Sequence, residues 1–143
     1  MSNGKIDNVS GLVWIAGNTS YTSSTNGGYI STGKLVFNGG TSQTINGDVI
    51  NANRVEVDNF NGVTIQSGTL NIDSSLLLSS GVFTQESSAS VILQSDAEFD
   101  AYLDDFTGSG SYAGQITDQL FVAGATARQH LISSPISGAS VSS

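Results

Sequence analysis

The sequence predicts an all-β fold. It is a right-handed parallel β-helix (solenoid) of about four coils of about 20 residues, with a short α-helical cap and a C-terminal β extension. Three observations predict it. Apolar residues come in pairs one residue apart, as in Val55/Val57, Val63/Ile65, Leu70/Ile72 and Leu76/Leu78. The pairs recur at a near-constant spacing. The segments between them are polar and end in turn dipeptides such as Asn46-Gly47, Asn61-Gly62, Ser67-Gly68 and Ser80-Gly81.

The spacing is the strongest of the three. The segments starting at Val55, Val63 and Leu70 reappear at Leu76, Val82 and Val91, with offsets of 21, 19 and 21 residues. Backwards, Leu35–Phe37, Ile45 and Ile50 precede the first set by 20, 18 and 20. An earlier set holds Val13–Ile15 and Tyr29/Ile30, with the polar "GNTSYTSSTNGG" read as a loop insertion. Three short strands per period describe a coil that turns through three faces, each strand stacking on its counterpart about 4.8 Å away. Strand side chains alternate, so the paired apolar residues point inward and Glu56, Thr64 and Asn71 point outward. An antiparallel sandwich fits less well, because its strands run to about 5–6 residues and these show three core positions or fewer. The coils are assigned to residues 1–94, and the cap, β extension and Ser-rich tail to 95–143.

Composition agrees. Apolar residues make up 38% of the 143, so a core is available, while charged residues are only 11%. Small polar and β-branched residues favour strands and tight turns. The net charge of −8, with only Lys5, Lys34, Arg54 and Arg128 basic, speaks against nucleic acid and anionic lipid as partners. There is no Cys, hence no disulfide and no thiolate metal site. No apolar run reaches the 18 or so residues of a membrane span, and the N-terminal "MSNGKIDNVSG" lacks a signal-peptide core.

The stretch "VEVDNFNGVTIQSGTLNIDSSLLLSSGVF", and later "QITDQLFVAGATARQHLISSPISG", resemble the repetitive β-solenoid segments of large surface proteins exported by the type IX secretion system of Bacteroidetes. The resemblance covers roughly residues 34–138. It rests on the Val-x-Val-Asp-Asn start, the Gly-Val-Thr step, the Leu-x-Ile step and the closing Ile-Ser-Ser-Pro. His130 stands where such segments carry Trp or Tyr, and the continuation after Ser137 is missing. The resemblance implies a chain that stops partway into a next module. It also implies an extracellular or cell-surface structural or adhesive role rather than catalysis.

"SDAEFDAYLDDFTGSGSYAGQ" breaks the rhythm. Ser95 followed by Glu98 has capping-box spacing, and Phe99, Tyr102, Leu103 and Phe106 fall at helical intervals. The segment 96–105 is therefore expected to be a helix that plugs the apolar opening of the last coil. Asp96, Asp100, Asp104 and Asp105 are the candidate Ca²⁺ ligands, being hard oxygen donors, although their spacing is not that of an EF-hand. A solvated acidic helix face is the simpler account, and no cofactor is expected. Beyond it, Leu120–Ala123 and His130–Ser133 read as strands and the last residues as a flexible end.

Catalytic patterns are missing. His130 is the only His, there is no Gly-x-Ser-x-Gly elbow, and no lysine follows a P-loop. Glu56 and Asp58 share a strand face about 7 Å apart, near Arg54, a spacing compatible with a glycosidase but common on any exposed strand. The expected function is a structural stalk, spacer or adhesin-like segment with no enzymatic activity. Its expected partners are neighbouring modules or copies of itself. The alternatives are a carbohydrate-binding or carbohydrate-active module, with Trp14, Tyr21 and Tyr29 as candidate glycan contacts, and a self-assembling filament subunit.

Overall fold

The computed structural model describes residues 11–21, 28–104 and 108–121; side-chain placement is not described for Tyr21 or for residues 28–32. Among the described residues there are twelve strands and no helix. In chain order they are β1 (Leu12–Ile15), β2 (Thr19–Tyr21), β3 (Gly28–Phe37), β4 (Gln43–Gly47), β5 (Val49–Asp58), β6 (Val63–Ile65), β7 (Gly68–Ser80), β8 (Val82–Gln85), β9 (Ala89–Leu93), β10 (Tyr102–Leu103), β11 (Ser111–Ala113) and β12 (Ile116–Asp118).

All their pairings are parallel, which makes the molecule a β-solenoid of about four turns. One sheet runs β1-β3-β5-β7-β9-β12, with β10 added on β7; the other runs β11-β8-β6-β4-β2. The long strands β3, β5 and β7 pass through a corner. The register slips between Ile30 and Lys34 and between Ala52 and Arg54, so each long strand contributes to two faces. Three columns result: Val13-Leu35-Val55-Leu76 on the first face, Gln43-Val63-Phe83 on the second, and Ala52-Ile72-Leu93 on the third.

The inward positions build one continuous core. Val57, Ile65, Ile72, Leu78 and Val91 are all fully buried, as the alternation predicts. Glu56, Thr64 and Asn71 between them are partly exposed. The outward amides form a ladder: Asn71 Nδ2 donates to Asn51 Oδ1 at 2.7 Å, and Gln94 Nε2 donates to Asn71 Oδ1 at 2.9 Å.

A polar side chain also sits fully buried in an inward column. Gln43 occupies the place that Val63 and Phe83 fill in later coils, and it is 1% exposed. Its Oε1 accepts from the Gly39 amide (2.8 Å) and Asn59 Nδ2 (2.9 Å), and its Nε2 donates to the carbonyls of Ile15 (2.9 Å) and Gly17 (2.8 Å). Asn59, also buried, donates to the Thr41 carbonyl as well and accepts from the Asn61 amide. Every polar atom of the Gln43 side chain is satisfied, so burial is tolerated and three successive coils are tied at one corner.

The helical cap is not formed. Asp96 Oδ1 accepts from the amides of Glu98 (2.7 Å) and Phe99 (2.8 Å), closing a tight turn. A short polar side chain bonding nearby amides competes with helix, and here it wins. Tyr102 and Leu103 gain more from pairing with Ser75 and Leu76 on the open edge of β7 than from a helical face. Nor do Phe99 and Leu103 plug the core, being 68% and 41% exposed. The last full coil is covered instead by Ala101, by Tyr112, whose ring meets Phe83 edge-on at 5.5 Å, and by Ile116. Two further corrections concern strands. The polar segment after Gly17 contains β2, which stacks on β4. The extension is made by β11 and β12, while Leu120 and Phe121 lie outside strands. The rest of Leu120–Ala123, the run His130–Ser133, Phe106 and the Ser-rich tail lie outside the described residues.

Candidate functional site

The largest departure from the regular coil lies between β9 and β10. Ser75 sits 21 residues after its partner Arg54, but Tyr102 follows Ser75 by 27. The extra residues form a small hairpin at the corner. The Ala101 amide bonds to the Gln94 carbonyl at 2.8 Å, Ser95 bridges Asp100 antiparallel, and the Asp96 amide donates to the Phe99 carbonyl at 2.9 Å. The Ser95 hydroxyl donates to Asp100 Oδ1 and accepts from the Phe121 amide. The hairpin is thus fastened from inside and from the chain that follows it.

The hairpin and the corner of the two preceding coils enclose a cleft of about 620 Å³. Asn53, Arg54, Asp73 and Ser74 form the coil wall; Asp96, Phe99, Asp100 and Tyr102 form the hairpin wall. Arg54, Ser75 and Tyr102 lie in one register column, so the guanidinium-bearing and phenol-bearing residues are two coils apart on the same face.

Carboxylates face one another here. Burial, and then the Asp96 charge, push the Asp73 carboxyl above its ordinary value of 3.8. Burial, and then Asp100, do the same to Asp118. The amides of Glu98 and then Phe99 hold Asp96 below its ordinary value. A carboxyl whose pKa is raised by folding binds more protons folded than unfolded, so stability falls as pH rises through the window above 3.8. Asp73→Asn should therefore raise the melting temperature at neutral pH, and the gain should vanish near about pH 3, where the parent carboxyl is neutral in both states. Thermal melts at the two pH values check this; a variant no more stable than the parent at neutral pH would refute it.

The sequence-derived candidates fall as follows. Asp96 and Asp100 share the hairpin, Asp104 lies beyond β10 with its amide on the Leu76 carbonyl, and Asp105 lies outside the described residues. Among the described residues no three acidic or His side chains gather as a metal site. Trp14 is 58% exposed on β1, between Val13 and Ile15, which pack on the core. Tyr21 belongs to β2 in the other sheet and Tyr29 to the first part of β3, so the backbone spreads the three over three faces. Glu56 is engaged by Lys34 and, at 2.6 Å, by the Ser79 hydroxyl; Asp58 accepts from Ser80. Burial alone would raise the Glu56 carboxyl, but Lys34 and Ser79 outweigh it and hold it below 4.5. His130 lies outside the described residues. Sequence reasoning missed the meeting of Arg54, Asp73, Phe99 and Tyr102. The available signal was the lengthened spacing at that one corner.

Comparison with protein-family models, with curated proteins and with solved structures gives no match for this chain.

Proposed function

We propose that this chain is a structural spacer, with an adhesive setting, in an extracellular or cell-surface bacterial protein of the kind exported by type IX secretion. One observation carries the reading: parallel stacking runs unbroken from β1 to β12. A rod of this kind grows by about 4.8 Å for each added coil and holds its neighbours at a set distance. The resemblance of residues 34–138 to exported solenoid segments supports the location. Neighbouring modules of the same protein, or copies of it, are the partners that fit the terminal coils.

The test is a tandem duplication of residues 54–74 in the protein made by its own cells, followed by immunolabelling of intact cells. A spacer accepts an extra coil, so parent and lengthened protein should label equally on intact cells. Label seen only after permeabilisation, or display abolished by the extra coil, would overturn the reading.

A further inference from the structure

The cleft at the hairpin corner combines features that the stacking of coils does not require. Phe99 is 68% exposed, yet it is held at the tip of a turn fixed by two hydrogen bonds to Asp96. Tyr102, 54% exposed, lines the same cleft from β10. One exposed ring alone is ordinary, but two exposed rings lining one cleft make an aromatic contact surface. Around the two rings stand the carboxylates of Asp73, Asp96 and Asp100 and the guanidinium of Arg54. The volume, about 620 Å³, lies within the range of small-molecule sites.

We propose that this cleft is a binding site for a neutral saccharide of one or two pyranose rings. Aromatic faces carry negative quadrupole charge, and the C–H face of a pyranose is weakly positive, so the ring stacks on Phe99 or Tyr102. Sugar hydroxyls donate to carboxylates in charge-assisted bonds, and Arg54 donates to the ring and hydroxyl oxygens. One oxygen of Asp96 is used by the turn and one of Asp100 by Ser95, and the second oxygen of each carboxylate is not part of those bonds. Three carboxylates against one guanidinium disfavour uronic acids and sulfated or phosphorylated sugars. Trp14 lies on β1 of the same sheet, two rungs from Arg54 and four from Tyr102, and does not line the cleft; the site is a property of the folded chain wherever the protein resides.

The test is an NMR titration of the full chain with cellobiose, mannobiose, digalacturonate and an acetyl-lysine amide. At least one neutral disaccharide should give saturable shifts of the Phe99 and Tyr102 rings, with a Kd on the order of 1 mM. Phe99→Ala and Tyr102→Ala should each weaken binding at least about tenfold, with circular dichroism unchanged because both side chains are exposed. Binding should survive added salt, since the ligand carries no charge. Saturation by neither neutral sugar would overturn the proposal. So would equal binding of digalacturonate, binding confined to the lysine derivative and lost in salt, or wild-type affinity in both variants.

Discussion

Ile72→Ala is expected to lower the unfolding free energy by about 2–5 kcal/mol, the range for truncating a buried aliphatic side chain in a close-packed core. Ile72 is fully buried, and its column partners are Ala52 and Leu93. Ala52 has only a methyl group with which to fill the hole, so collapse from that side is slight. Thr64→Ala provides the contrast. Thr64 lies between the buried Val63 and Ile65 but points outward, with Thr44 and Thr84 beside it in register. It should change stability by no more than about 0.5 kcal/mol. Urea denaturation followed by circular dichroism measures both. Equal losses at the two positions would contradict the division into inward and outward columns.

A comparable loss is expected from Gly81→Ala, for a different reason. Gly81 has φ of 73°, and a Cβ built on it would lie 1.9 Å from the Asn59 carbonyl oxygen of the preceding coil. That carbonyl cannot easily move, because it accepts from the Gly62 amide at 2.8 Å while the Asn59 side chain is held by Gln43 and Thr41. Left-handed backbone costs a non-glycine residue about 1–2 kcal/mol. Displacing a packed neighbour adds about 1–3 kcal/mol. At Gly40 a Cβ meets nothing within 4 Å and the residue is exposed, so Gly40→Ala should be close to neutral. Chemical denaturation of the pair separates corner geometry from glycine content. A Gly81→Ala chain as stable as the parent would mean that the corner reshapes freely.

The straight runs of the coils were legible in the sequence, and the corners were not. A side-chain period of two repeated about every 20 residues has few solutions, and Val55, Ile65 and Leu78 were placed by it. Gln43 was missed because a polar residue at an inward position breaks the pattern; its compensation lies 16 residues away, in Asn59. The segment 96–105 shows the same limit. Its aromatic spacing satisfied a helical period, but the open edge of β7 and the reach of the Asp96 carboxylate decided its form. The cleft depends on that outcome, since a helix would have placed Phe99 and Tyr102 on one rod face instead of opposite Arg54.

The strands of the last described coil are short: two residues in β10 and three each in β11 and β12, against thirteen in β7. In a rod whose hydrogen bonds lie along its axis, a pull on the chain ends loads them one rung at a time, like a zipper. Among the described rungs the two-residue β10 is the shortest, whereas the Gln43 clasp ties together the coils nearer β1. A coil of about 20 residues advances the rod by only about 4.8 Å but reaches roughly 70 Å when drawn straight. Releasing a single coil therefore lengthens the molecule by far more than its folded share. Tension would be relieved from one end, in steps, while the remaining coils stay intact.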